Sequence, residues 1–175
     1  MQIKNVLAEI NRMQSDGVIA SYAIGGAVGA TFYLEPAATL DIDIFVGFEI
    51  GPGSRLISPQ PIYDYLTARG HTVRDEYIEI ASWPVQFLPP TGPLAEEALA
   101  EARPADVDGE PTRVFSAEHL VAIALETGRG KDMARILQFI DAGVLDADKL
   151  NTILARHGLA ARWASFEKKF LGDAP

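Results

Sequence analysis

Residues 22–48 read YAIGGAVGATFYLEPAATLDIDIFVGF, and this stretch decides the fold. Its short apolar run at 22–24 predicts a buried strand, which Gly25 and Gly26 interrupt. The small and apolar residues of 27–34 then predict a short helix, and a proline soon after ends it. The stretch therefore begins as a strand, a glycine turn and a helix.

A second strand is predicted over residues 40–48, with Thr39 leading into it. Apolar side chains alternate along it with Asp41 and Asp43. Because strand side chains alternate between faces, the two carboxylates share one face, with Cα atoms about 7 Å apart. Mg²⁺ prefers a few carboxylates together with substrate phosphates, so this pair is a candidate metal site.

This order of features resembles the nucleotidyltransferase superfamily, the fold of polymerase β and of the AbiE-type toxins, over residues 21–90. The resemblance implies that Gly25 and Gly26 approach the triphosphate of an NTP, near Thr39. It also implies that Asp41 and Asp43 hold the metal, Mg²⁺ or Mn²⁺. Two alternatives stay open, since paired acids often end a solvated strand and Gly-Gly can serve a tight turn alone.

Enzymes of this superfamily usually carry a third acid on a later strand. The matching segment here, VQFL at 85–88, has Gln86 where that acid would stand. A glutamine can lend its carbonyl oxygen to a metal but cannot act as a base. Glu79, on the neighbouring predicted strand, is the nearest acid that could take the role; otherwise it is an outward residue of an amphipathic strand.

The segment GRGKDMAR at 128–135 is a second candidate site. A helix that begins after Gly-Arg-Gly exposes N–H groups that suit phosphate. Lys131 and Arg135 lie four residues apart, so they share a helix face and could both reach a triphosphate. The alternative is that both are surface charges. The histidines show no metal-ligand spacing and are predicted to be surface or cap residues.

The 85–88 segment and EHLVAIALETGRGKDMAR at 118–135 also resemble an uncharacterised branch near the AbiE group. That closer resemblance runs to the C-terminus and would make Gln86 a normal feature of the branch. It implies an RNA or protein acceptor and a partner protein from a toxin–antitoxin pair.

Composition limits the class of protein. The chain has 175 residues, 48% of them hydrophobic, which suits one packed domain with a helical extension. We expect no membrane span and no signal peptide, and the absence of cysteine fits the cytoplasm. The net charge of -9 argues against broad nucleic-acid binding. Eight of the 15 Lys and Arg residues nevertheless lie between 129 and 169 and predict a local basic surface.

The predicted fold is α/β: a minimal nucleotidyltransferase core with a small mixed sheet over 1–111, then a C-terminal α-helical extension over 112–175, packed as one unit. Residues 49–60 are predicted to be a loop, and the Pro-, Asp- and Gly-rich segment 103–111 is predicted to be the seam of the chain. The predicted function is nucleotidyl transfer from an NTP to an unknown acceptor with Mg²⁺. The alternative is a catalytically degenerate nucleotide-binding or protein-interaction module.

Overall fold

The structure, a computed structural model, describes residues 3–36, 38–39, 41–48 and 58–172. The helices are α1 (Ile3–Ser15), α2 (Gly26–Ala30), α3 (Gln60–Ala68), α4 (Pro93–Ala100), α5 (Ala117–Thr127), α6 (Gly130–Ala142), α7 (Ala147–Arg156) and α8 (Ala160–Phe170). The strands are β1 (Ser21–Ile24), β2 (Ile42–Gly47), β3 (Thr72–Arg74), β4 (Tyr77–Ile80), β5 (Trp83–Leu88), β6 (Arg103–Val107) and β7 (Glu110–Val114). No helix among these residues is long and apolar enough to cross a membrane.

The strands form one mixed sheet of seven, in the order β3-β4-β5-β2-β1-β7-β6. β2 runs parallel to β5 and β1 parallel to β7, whereas the other neighbours are antiparallel. The predicted mixed α/β fold is confirmed. β2 lies at the centre of the sheet, so its side chains reach both covered faces.

Alternation along β2 separates the two faces, as its sequence predicts. Ile42, Ile44 and Val46 are buried against the apolar faces of α1 and α3. Asp43 and Phe45 point to the other face, where Phe45 packs against the core formed by α4 and α5 with the later helices. Leu40, predicted to begin this strand, lies outside the described residues, as does most of the 49–60 loop.

The segment 103–111, predicted to be the seam of the chain, contains β6 and the start of β7, which form a hairpin. Asp108 and Gly109 make its turn, with φ of +53° and +85°. Both central residues of a type I′ turn need positive φ, and Asp-Gly is a favoured pair for it. The hairpin joins the sheet beside β1, and the division of the chain at residue 111 stays a prediction.

Residues 72–80 contain two strands, β3 and β4, separated by a turn at Asp75. The next turn is made by Ala81 and Ser82, both with positive φ, so Trp83 and Pro84 belong to β5. Ala and Ser rarely occupy positions of positive φ.

The prediction for the histidines is wrong for His119, which is fully buried. Its Nε2 donates to Glu97 at 3.0 Å, and its Nδ1 lies 2.7 Å from the hydroxyl of Ser116, the residue that caps α5. Glu97 also accepts from Arg156 at 2.7 Å and from His157 Nε2 at 2.9 Å. We call Glu97, His119, Arg156 and His157 the Glu97 clasp; it ties α4, α5 and α7 together.

Candidate active site

Asp43 and Gln86 are direct neighbours across the parallel pair β2 and β5. Both line a cavity of about 250 Å³ on the face of the sheet opposite α1. Gly26 lines it beside them. Its other lining residues are an apolar wall and a polar rim: Phe45, Leu88, Phe115, Leu120, Ile123, Ala124, Thr127, Arg129, Asp132 and Arg135.

Gly26 is adapted to a close approach to Asp43. It has a φ of +57°, and a Cβ at this position would lie 2.0 Å from Asp43 Oδ2. The N–H of Gly25 donates to the backbone carbonyl of Asp43 at 3.0 Å, which fixes the turn against β2. The absence of a side chain at Gly26 thus lets the Asp43 carboxylate pack directly against the turn. The predicted contact of this turn with a triphosphate stays a prediction.

The Asp43 carboxylate has no hydrogen-bond or ion-pair partner among the described residues. Burial raises its pKa, and the negative charge of Asp41 raises it further. The positive charges of Arg135, Lys131 and Arg129 oppose this rise without cancelling it. A half-buried carboxylate that lacks a partner is a candidate ligand for a cation.

The start of α6 faces this carboxylate across the cleft. Arg129 donates from Nε to Asp132 Oδ2 at 2.7 Å, and the same oxygen accepts from the Arg129 N–H at 3.2 Å. Burial acts to raise the pKa of Asp132, but these hydrogen bonds outweigh it and lower that pKa. Arg135, one turn on, is half-buried in the cavity wall and has no partner among the described residues. Lys131 is exposed and does not line the cavity.

Five predicted site residues lie outside the cavity lining: Gly25, Thr39, Asp41, Glu79 and Lys131. Thr39 donates its hydroxyl to the backbone carbonyl of Asp41 at 3.1 Å, and Asp41 acts on Asp43 through its charge. Glu79 lies opposite Pro84, so it shares the sheet face of Gln86, but its carboxylate accepts from Arg74 Nε at 3.2 Å. The assignments of these residues stay predictions.

Sequence reasoning missed the apolar wall and the Arg129–Asp132 pair. Phe45 and Phe115 pack in the wall with ring centroids 4.8 Å apart. Their apolar character is that of any core residue, so the sequence held no signal for the wall. Arg129 and Asp132 do lie in the GRGKDMAR segment, where a capping box could have marked them.

The carboxylates of Asp41 and Asp43 fit one hard divalent cation such as Mg²⁺, with the Gln86 amide oxygen as a further neutral ligand. A second group, Glu97, Glu101 and His119, has ligand atoms within 4.8 Å of one another. There, however, Arg156 and both histidines already occupy the Glu97 oxygens, so we assign it to the clasp.

No protein-family model and no curated protein sequence matches the chain. Solved structures do resemble it. ANT(2″)-Ia in complex with adenylyl-2″-tobramycin matches over 91% of this chain and 98% of its own, with 18% identity and a TM-score of 0.56. An antigenic nucleotidyltransferase-like protein from Paracoccidioides brasiliensis matches over 95% and 92%, with 16% identity and a TM-score of 0.60. The solution structure of the antibiotic-resistance factor ANT(2″)-Ia matches over 95% and 96%, with 19% identity and a TM-score of 0.51.

The chain has a nucleotidyltransferase fold. The superfamily resemblance predicted from residues 21–90 is therefore confirmed at the level of fold, and the matches extend beyond it to nearly the whole chain. The closer resemblance to the AbiE branch stays a prediction. The central strand β2 carries Asp43, Asp41 directly precedes that strand, and helices α5 and α6 supply the opposite wall of the cleft.

Proposed function

We propose that the protein transfers a nucleotidyl group from an NTP to an acceptor, with Mg²⁺ or Mn²⁺ held by Asp41 and Asp43. One observation carries this proposal. The Asp43 carboxylate and the Arg135 guanidinium line the same cavity, and each lacks a partner among the described residues. A metal-bound triphosphate is cationic at the metal and anionic at the phosphates, so it complements both groups.

The cleft gives each part of an NTP a matching surface. The triphosphate fits between the Gly25 and Gly26 turn and the start of α6, where the positive charges of Arg129, Lys131 and Arg135 reach the cavity. The nucleobase fits the apolar wall that contains Phe115. An apolar wall contacts any base by its face, so we expect weak selection among the four NTPs.

In the proposed reaction, an acceptor hydroxyl oxygen forms a bond to the α-phosphorus while the bond from that phosphorus to the bridging oxygen breaks. Pyrophosphate leaves with the electron pair of the broken bond. The hydroxyl proton passes to solvent, because Gln86 cannot accept it. The metal ion, when bound, neutralises phosphate charge and orients the reacting groups. Arg135 and Lys131 hold the phosphates in line for attack.

The proposed acceptor is RNA or a protein, as the AbiE-type resemblance implies. One of the matched structures is of ANT(2″)-Ia in complex with adenylyl-2″-tobramycin. The basic start of α6 disfavours a cationic acceptor in this cleft. A cytoplasmic location and a partner protein from a toxin–antitoxin pair belong to the same proposal.

Gln86 favours a second candidate, a module that binds a nucleotide without turning it over. It stands next to Asp43 in the register, where the active pattern has its third acid. Without that acid the acceptor hydroxyl has no carboxylate base. In this case the protein would act through its bound nucleotide or a partner protein.

The test is label transfer. The protein is incubated with each α-³²P-labelled NTP, Mg²⁺ or Mn²⁺, and pools of small RNAs or proteins. Label that appears on an acceptor, and is absent with the Asp43→Asn variant, supports nucleotidyl transfer. Metal-dependent NTP binding by calorimetry without any label transfer supports the binding module. No NTP binding at all would overturn both.

A further inference from the structure

Carboxylates are scarce around this cleft, and this limits how much metal it can hold. Two divalent ions that act on one phosphate lie about 3.5–4 Å apart and repel each other, so they need several shared carboxylate oxygens. Gln86 stands beside Asp43 in the register of β2 and β5 and brings a neutral amide where the active pattern has a third carboxylate.

Nearby acids do not fill this gap. Asp132 lines the cavity, but both of its carboxylate oxygens accept from Arg129, at 2.7 and 3.2 Å. Glu79 shares the sheet face, but it is paired with Arg74, and its side chain is 42% exposed. Of the acids described around the cleft, Asp41 and Asp43 are the two that carry no such pairing. Two carboxylates fit one Mg²⁺ that keeps waters and phosphates as its other ligands.

Arg135 is placed to supply the missing positive charge. It is half-buried in the wall of the cavity that Asp43 and Gln86 line, and it has no partner among the described residues. Of the cations that act on Asp43, it has the largest effect. A guanidinium can bind two phosphate oxygens at once, and it stays charged at every physiological pH. Leaving such a group half-buried without a partner is costly unless an anion binds there.

We propose that the cleft holds one divalent ion with its NTP, on Asp41 and Asp43, and that Arg135 provides at the phosphates the charge that a second ion would otherwise provide. This inference rests on the proposed binding of an NTP. In a site with three acids, a second metal ion binds the phosphates, and here Arg135 has that binding role. Gln86 is then the residue that sets the number of bound metal ions.

The experiment counts metal directly. Mn²⁺ is titrated into an equimolar mixture of the protein and a non-hydrolysable NTP, and free Mn²⁺ is followed by electron paramagnetic resonance. We expect one Mn²⁺ per protein–NTP complex in the wild type and two in Gln86→Asp. Gln86→Glu provides a second variant if the first does not fold. Arg135→Gln should still bind one Mn²⁺ but bind the NTP about 10-fold more weakly, or 1.4 kcal/mol.

Arg12→Gln is the matched control, because Arg12 is 56% exposed on α1, which covers the other face of the sheet. Its NTP affinity should equal that of the wild type. Two Mn²⁺ in the wild-type complex would overturn the inference while leaving nucleotide binding intact. An Arg135→Gln affinity equal to that of Arg12→Gln would overturn the role of the guanidinium. Absence of NTP binding in the wild type would overturn the proposed function together with the inference.

Discussion

Asp43 and Glu97 are carboxylates on the same side of the sheet, yet their surroundings differ in almost every respect. Glu97 accepts hydrogen bonds from His119, Arg156 and His157 within the Glu97 clasp. Burial acts to raise its pKa, but the hydrogen bonds from these three residues lower it to about 2. Asp43 has no partner among the described residues, and burial together with the charge of Asp41 raises its pKa.

The difference separates a structural group from a binding group. The clasp is satisfied by its own side chains, so its charge contributes to folding through hydrogen bonds that join three helices. In the cleft, a carboxylate and a guanidinium lie apart, and each gains an oppositely charged partner only when a charged ligand binds between them. Stability and ligand binding should therefore respond in opposite ways to substitutions in the two regions.

The largest expected effect is the loss of ligand binding in Asp43→Asn. This variant removes a carboxylate proposed to bind the metal, and we expect metal-dependent NTP affinity to fall at least about 100-fold. Calorimetry with a non-hydrolysable NTP measures the change. Asp141→Asn, an exposed acid on α6, is the control for loss of one charge and should bind as the wild type does. Equal affinity in both variants would leave Asp43 an ordinary acid.

In the Glu97 clasp, a substitution should lower stability rather than ligand binding. Glu97→Gln removes the charge that three donors share and should lower the free energy of unfolding by about 2 kcal/mol. NTP affinity should stay unchanged. Urea unfolding gives the first quantity and calorimetry the second. Glu96→Gln, at an exposed neighbouring position on α4, is the control and should leave stability within about 0.5 kcal/mol of the wild type. A loss of NTP binding in Glu97→Gln would contradict the separation.

Gly26→Ala tests whether the cleft depends on the close approach of Gly26 to the Asp43 carboxylate. The added Cβ would lie 2.0 Å from Asp43 Oδ2, so the carboxylate must move, and metal-dependent NTP affinity should fall about 10-fold. Gly143→Ala is the matched control. Gly143 has a similar φ of +65°, but a Cβ added there would meet no atom within 4 Å. Both variants should lose about 1 kcal/mol of stability to the left-handed backbone. If only stability changes in Gly26→Ala, the glycine serves the turn alone.

The sequence predicted the parts of the molecule whose signals are local. Alternation along β2, the Gly-Gly turn and the helix caps depend on residues a few positions apart, so β1, α2 and β2 were found close to their observed bounds. The turn between β4 and β5 lies at Ala81 and Ser82, and its exact position could not be predicted because neither residue type marks positive φ. The β6 and β7 hairpin was read as a seam although its Asp-Gly pair is a turn signal.

Contacts between distant parts of the chain could not be predicted in this way. Glu97 and His119 are 22 residues apart and Glu97 and His157 are 60 apart, so no periodicity connects them. The apolar wall of the cleft could not be predicted for the same reason, since α5 comes to line the cleft only when the whole chain folds. The approach of GRGKDMAR to Asp43 was proposed from the charge of its residues, and their separation in sequence gave no distance.

The smallest expected effect is on the pH dependence of stability. As pH rises, ionisation of Glu97 should increase the free energy of unfolding, whereas ionisation of Asp43 should decrease it. The pKa of Glu97 is lowered in the folded protein from 4.5 to about 2, so its contribution is complete above about pH 5 and is lost as pH falls toward 2. The pKa of Asp43 is raised from 3.8, so its ionised form opposes folding. That penalty is absent at pH values below 3.8 and develops as pH rises through the folded pKa.

Urea unfolding of Glu97→Gln, Asp43→Asn and the wild type between about pH 2.5 and about pH 7.5 checks these signs. The destabilisation by Glu97→Gln should grow with pH and level off above about pH 5. Asp43→Asn should match the wild type in acid and become more stable than it at neutral pH, by about 1 kcal/mol or less. A destabilisation by Asp43→Asn that grows with pH would mean that Asp43 is satisfied within the fold, as Glu97 is. The cleft would then have no charge left over for a metal, and the contrast between the two regions would disappear.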